Sequence, residues 1–132
     1  KSVIDIAYDI SEGLARAACA GEVNGEVVDL RTVLDSDCEL NILTAKDEKG
    51  LAVLRHTASH VMAQAVQNLY PEAKVAIGPS IDTGFYYDFD HEPFSREDLD
   101  AIEKEMKKII KKGAKIERFT KSREDAIAYF KE

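Results

Sequence analysis

The chain has 132 residues, of which 45% are hydrophobic and 33% charged, with a net charge of −7. That balance describes a globular protein of one ordinary domain or two small ones, and it excludes a disordered or fibrous chain. The longest uncharged run, Val61 to Pro71, has eleven residues and includes two Gln and an Asn, too short and too polar to cross a bilayer.

Val3, Ile6, Ala7 and Ile10 recur at helical spacing behind Ser2, a good N-cap, so the spacing predicts a helix over residues 3–10. Asp5, Asp9 and Glu12 stand where a signal peptide would need an apolar run, and none is expected here. Ser11-Glu12-Gly13 interrupts the pattern, and residues 14–18 read as a second short helix. Residues 22–28 read as a hairpin about Asn24-Gly25, because both residues tolerate positive φ. Cys38, Leu40 and Ile42 alternate as a half-buried strand over residues 38–43. Cys19 and Cys38 are too few for a disulfide framework or a zinc finger and read as small apolar residues in a reducing compartment.

Asp47-Glu48-Lys49-Gly50 is a polar junction and marks the expected boundary between domains 1–46 and 47–132. A long helix is predicted from Leu51 to Leu69, stopped by Pro71. Residues 74–77 and 83–89 read as strands separated by a Gly78-Pro79 turn. Ser95 and Asp98 have capping-box spacing for a helix running to Lys112, with Gly113 as its terminator. Residues 115–120 read as a strand, and Ser122 caps a last helix through Phe130. The fold class is α+β. Lys1 is not Met and the chain stops inside a helical pattern, so the sequence is expected to be a piece of a longer protein.

Charge is unevenly spread. Residues 1–49 carry five basic side chains against eleven acidic ones, which opposes a charge-driven grip on nucleic acid there. Residues 104–123 carry nine basic against two acidic, among them Lys108, Lys111, Lys112 and Lys115. Such a run is either a solvated helix face or a phosphate-facing patch.

His56 and His60 lie four residues apart on the long helix and point within about 40° of each other. The expected core stripe is Leu51, Leu54, Ala58, Val61, Ala65 and Leu69, from which both histidines are rotated away. Ala52, Ala63 and Gln67 share the histidine face and would leave room for a ligand. Two imidazoles alone fall short of a zinc site, and no Glu at position 57 completes the metalloprotease signature. The pair is therefore a surface or core pair, part of a hydrolytic site, or two ligands of a metal completed elsewhere. His91, between Asp90 and Glu92, reads as a solvated loop residue. In residues 77–90, Phe85, Tyr87 and Phe89 fall on one strand face and Tyr86 and Asp88 on the other, either as core or with a tyrosine hydroxyl facing a polar pocket.

Taken together, Arg55-His56-Thr57-Ala58-Ser59-His60, Ala76-Ile77-Gly78-Pro79 and Gly84-Phe85-Tyr86-Tyr87-Asp88-Phe89 resemble the bacterial threonyl-tRNA synthetase family, over the whole chain. Val3 to Ala7, Gly13 to Ala17 and Val23-Asn24-Gly25 resemble that family's TGS domain, a ubiquitin-like β-grasp, here without its first hairpin. The resemblance implies a partial β-grasp followed by the first part of an editing domain shared with alanyl-tRNA synthetases. It implies hydrolysis of seryl-tRNA(Thr), with His56, His60 and Tyr87 in the editing pocket and no metal in this stretch. The family's completing Cys-x-x-x-His segment does not occur before Glu132, so the stretch alone is expected to deacylate poorly or not at all. ATP, Mg and a catalytic Zn are expected in a synthetase core outside it. The resemblance further implies a cytoplasmic parent that binds the acceptor end of tRNA(Thr) and dimerises through that core, with neither membrane nor DNA as partner. Two alternatives stand beside it: a ligand- or RNA-binding module fused to a nucleoside kinase, without editing activity, and a metal-dependent trans-editing hydrolase of the alanyl type.

Overall fold

The computed structural model describes residues 1–131, and its architecture is α+β. Helix α1 (Val3–Ile10) opens with a reciprocal capping box. The Asp5 N–H donates to the Ser2 hydroxyl at 3.3 Å, and the Ser2 N–H donates to the Asp5 carboxylate at 3.0 Å. The N–H groups of Val3 and Ile4 donate to the carbonyls of Thr32 and Leu30 at 3.0 and 2.9 Å. The helix start is thereby tied to the loop at residues 30–32, which satisfies donors that a helix leaves free. Ser11 ends α1 and caps α2 (Glu12–Ala17) at once: it is extended, and its hydroxyl accepts the Leu14 N–H at 3.1 Å. One residue thus breaks the helical pattern without needing a loop.

Strands β1 (Ala18–Val23), β2 (Glu26–Val28) and β3 (Leu40–Thr44) form an antiparallel sheet in the order β2-β1-β3. Asn24 and Gly25 turn the hairpin at φ 50° and 87°, as a two-residue turn of matching twist requires. The Asn24 side-chain oxygen also accepts the Glu39 N–H at 2.9 Å, so this turn residue sets the approach of β3 as well. Val3, Ala7, Ala15, Ala20 and Leu43 are buried between helices and sheet.

Helix α3 (Glu48–Leu69) begins three residues before the expected Leu51. Asp47 occupies the N-cap position, but its carboxylate accepts the Thr44 N–H at 2.9 Å instead of capping the helix. The passage from β3 into α3 is therefore a tight turn. Gly50 lies so close to Thr44 that a Cβ there would overlap the Thr44 carbonyl. Helix α3 packs against β1 and β3, while Met62, Ala65 and Val66 meet Ile102, Met106 and Ile109 of α4 (Arg96–Lys112). The junction at 47–50 is a boundary in composition; in space, α3 is common to both parts.

Two expectations about the region after α3 are corrected. The chain does not reverse at Gly78-Pro79. Strands β4 (Lys74–Val75) and β7 (Phe89–Asp90) pair, as do β5 (Ser80–Ile81) and β6 (Gly84–Phe85), so the reversal falls at Asp82-Thr83. Pro79 has no N–H to offer, and the ladder is broken beside it, although Ala76 N–H still reaches Asp88 O at 3.0 Å and Asp88 N–H reaches Ile77 O at 2.8 Å. Residues 83–89 are consequently two short strands and not one. The second correction is at residues 115–120, which form no strand. Ile116 and Phe119 are 64% and 62% exposed, and no partner strand accepts the ladder that the alternation anticipates. Helix α4 is capped by Ser95 and Asp98 and ends at Gly113, φ 61°. Ser122 accepts the Asp125 N–H at 3.2 Å before α5 (Arg123–Lys131).

Candidate functional site

The buried residues of α3 are Gly50, Ser59, Ala63, Ala65 and Val66; of the expected stripe Ala65 is buried, Leu51, Ala58 and Val61 are half-buried, and the two remaining leucines are not buried. Leu54 and Leu69 are 45% and 37% exposed. Gly50 and Ser59 are buried where the backbones of Thr44 and Gly78 approach the helix, whereas Ala65 and Val66 are buried against the side chains of α4. Ala63 lies inside, so of the three residues expected to leave room beside the histidines only Ala52 and Gln67 remain on the surface.

His56 and His60 are both exposed, on a face adjacent to the buried one. Their facing Nε2 atoms are 3.1 Å apart, with ring centroids at 4.6 Å and planes at 83°. A hydrogen bond between two imidazole nitrogens requires one to donate and the other to accept.

Between them in sequence lies Ser59, fully buried. Its hydroxyl donates to the His56 carbonyl at 2.6 Å, with the Gly78 carbonyl at 3.3 Å as a second acceptor. One turn earlier, Arg55 Nη1 donates to the Asp82 carbonyl at 2.6 Å. The 78–82 arm and the hairpin tip are therefore fastened to the turn of α3 that carries the histidines. Ala52, Arg55, Ser80 and Asp82 line an open hollow of about 530 Å³ beside that turn. Ala52 precedes His56 by four residues and so lies on its face of the helix.

Tyr87 is half-buried and stacks on Phe89 at 5.0 Å and 21°. Its ring lies on Gly78 so closely that a Cβ at residue 78 would overlap the ring. Phe85, Tyr87 and Phe89 are half-buried and Tyr86, Asp88 and Asp90 exposed, the alternation expected of the segment. Among the described residues Tyr87 makes no hydrogen bond to either imidazole. It lines a hollow of about 550 Å³ together with Met62, Phe89, His91 and Phe94. The structure brings His56 and His60 together and reaches Tyr87 through Gly78.

His91 is not solvated. Its side chain is 16% exposed, stacks on Phe94 at 4.8 Å and 9°, and places Nε2 3.5 Å from Glu72. Tyr70, tilted against the same ring, donates its hydroxyl to Asp98 at 2.6 Å. That bond, with the Ser95 N–H, holds the Asp98 carboxyl below the ordinary carboxylate range and pushes the Tyr70 hydroxyl up. Sequence reasoning missed this cluster because His91 is flanked by acids, and besides nearby Phe94 its cover comes from Tyr70 and Glu72, about twenty residues earlier in the chain.

Among the described residues, no group of three or more His, Cys, Asp or Glu side chains could hold a metal ion. Cys19 and Cys38 are free and half-buried, and burial pushes the Cys19 thiol up, as does nearby Asp47. Lys108, Lys111, Lys112 and Lys115 are exposed, with Lys108 3.9 Å from Glu105. Lys115 lies beside an open groove of about 710 Å³ between Val27, Leu30, Val53 and Ile116. No described helix is long and apolar enough to cross a membrane.

Comparison with known proteins adds two findings. Residues 1–44 match the TGS domain model. Over 132 residues, 99% of the chain, the sequence is 61% identical to a threonine–tRNA ligase of Acetivibrio thermocellus. It is 54% identical over the same share to those of Caldanaerobacter subterraneus and Clostridioides difficile. The chain spans about a fifth of the length of these relatives, 20 to 21%.

Proposed function

Because matches along nearly the whole chain make it a stretch of the threonine–tRNA ligase family, we propose that the protein carrying it charges tRNA(Thr) with threonine, and that residues 47–132 belong to a module hydrolysing mischarged seryl-tRNA(Thr). The need for such a module is physical. Serine lacks one methyl of threonine, a difference worth roughly 1–3 kcal/mol in a binding pocket, too little for accurate charging.

The observation that carries the reading is the exposed His56–His60 pair, bonded Nε2 to Nε2 on the helix whose preceding turn, at Ala52 and Arg55, borders an open hollow. A neutral imidazole of the pair accepts a proton from water as the water attacks the ester carbonyl. The new C–O bond forms to the water oxygen, the ester bond to the ribose oxygen breaks, and that oxygen leaves with a proton. Serine and free tRNA are the products. Tyr87 lines a different hollow and meets the histidine turn only through Gly78; it is the candidate to contribute a hydroxyl to the editing pocket, which residues outside this stretch complete. Lys108, Lys111, Lys112 and Lys115 are the candidates for phosphate contacts on the acceptor end. ATP, Mg and Zn serve the charging reaction in another part of the protein, and no step of the ester hydrolysis runs through them.

The test is single-turnover hydrolysis of seryl-tRNA(Thr) by the full-length protein. His60→Ala is expected to slow it by about 10²–10⁴-fold while threonine charging is unchanged. Equal hydrolysis rates for wild type and His60→Ala would remove the pair from the reaction.

A further inference from the structure

Ser59 is the single polar side chain buried completely among the described residues. Alanine would occupy nearly the same volume and is the stronger helix former, so the hydroxyl adds nothing to α3 that a methyl would not. What it adds is a connection. In an α-helix the His56 carbonyl receives the N–H of His60, four residues on. The Ser59 hydroxyl, at 2.6 Å, converges on that same carbonyl. Backbone groups of both histidines and the serine between them therefore meet at one oxygen. The hydroxyl's second acceptor, the Gly78 carbonyl at 3.3 Å, belongs to the residue on which the Tyr87 ring lies.

We propose that Ser59 is a positioning residue for the imidazole pair. Its hydroxyl fixes the turn that carries His56 and His60 against Gly78, and through Gly78 it sets the distance from that turn to Tyr87. Back-bonding of a serine hydroxyl to a helical carbonyl bends or loosens a helix locally. Here the back-bond falls between the two residues whose Nε2 atoms lie 3.1 Å apart. Loss of the hydroxyl does not free the hairpin, because Arg55 holds the Asp82 carbonyl independently at 2.6 Å. The effect is thus confined to the turn that carries the histidines and its contact with Gly78. For its activity arm this inference rests on the hydrolytic reading above; its geometric arm does not.

The experiment compares Ser59→Ala and Ser59→Thr with wild type in the full-length protein labelled at histidine. Imidazole 15N shifts and the cross-peak between the His56 and His60 rings report the pair, and steady-state hydrolysis of seryl-tRNA(Thr) reports its use. In Ser59→Ala the cross-peak is lost and the 15N shifts move toward those of unpaired rings, with the thermal midpoint preserved. Its kcat falls about 10- to 100-fold while KM stays, since reacting groups are misplaced and the substrate is still bound. Ser59→Thr keeps a hydroxyl that can bond the same carbonyl and retains the cross-peak. If Ser59→Ala keeps both the cross-peak and kcat, the positioning role is overturned and the hydrolytic reading survives. If wild type hydrolyses no seryl-tRNA but Ser59→Ala still uncouples the rings, the hydrolytic reading falls and the positioning role stands.

Discussion

Residues 1–46 and the region around α3 and α4 are held together by different means. The first part buries Val3, Ala7, Ala15, Ala20 and Leu43, mostly small side chains, and relies on backbone ties such as Val3 N–H to Thr32 O and Ile4 N–H to Leu30 O. The second packs Tyr70, Phe89 and Phe94 with Met62, Met106 and Ile109 around Val66 and Ile102. Apolar area removed from water is the larger driving force in the second part, whereas hydrogen bonds add about 1 kcal/mol each in the first. The candidate chemistry sits on the helix common to both, at the turn where polar anchors replace apolar packing.

Three substitutions test that contrast. Ile102, 5% exposed, lies at the centre of the α3–α4 core. Ile102→Ala is expected to cost about 2–5 kcal/mol. Urea unfolding followed by amide exchange should show the loss around α3 and α4, with the β1–β3 sheet the least affected. Gly78→Ala is smaller. The added Cβ meets the body of the Tyr87 ring, not a flexible tip, so ring and strand must move apart at about 1–3 kcal/mol. The shift of Tyr87 away from Phe89 is readable in ring-to-ring NMR contacts.

The smallest effect lies in the first part. The Arg31 guanidinium grips Asp29 through Nε at 2.9 Å and Nη2 at 2.8 Å, and the Arg31 N–H adds a third bond at 2.7 Å. Together they lower the Asp29 carboxyl to about 2 from 3.8. A carboxyl whose folded value is depressed stabilises the fold above its unfolded value and ceases to do so as pH falls through the folded one. Wild type should therefore exceed Asp29→Asn in stability above pH 3.8 and converge with it as pH approaches about 2. Urea midpoints over that window provide the check.

Local chemistry was legible in the sequence wherever a few adjacent residues decide the outcome. The Ser2 N-cap, the Ser95–Asp98 capping box and the Asn24-Gly25 turn are of this kind. The pairing of His56 with His60 followed from helical spacing alone. Burial on α3 was only partly legible: Ala65 lies in the expected stripe, but the burial of Gly50 and Ser59 depends on where Thr44 and Gly78 bring their backbones. Ser59 escaped notice for the same reason: nothing local marks a serine as buried. Residues 115–120 alternate like a strand, yet alternation supplies no partner. The reversal at Asp82-Thr83 had a signal, a two-residue loop followed by Gly84, but the neighbouring Gly78-Pro79 pair gave the stronger turn signature.

The most direct measurement is the amount of serine carried by tRNA(Thr) when the full-length protein charges it with threonine and serine both present. The wild-type protein should leave almost none, and the double variant His56→Ala with His60→Ala should accumulate seryl-tRNA(Thr) while charging threonine at the wild-type rate. Equal serine levels for the two proteins would contradict the account, because the imidazole pair on α3 would then take no part in removing the wrong amino acid.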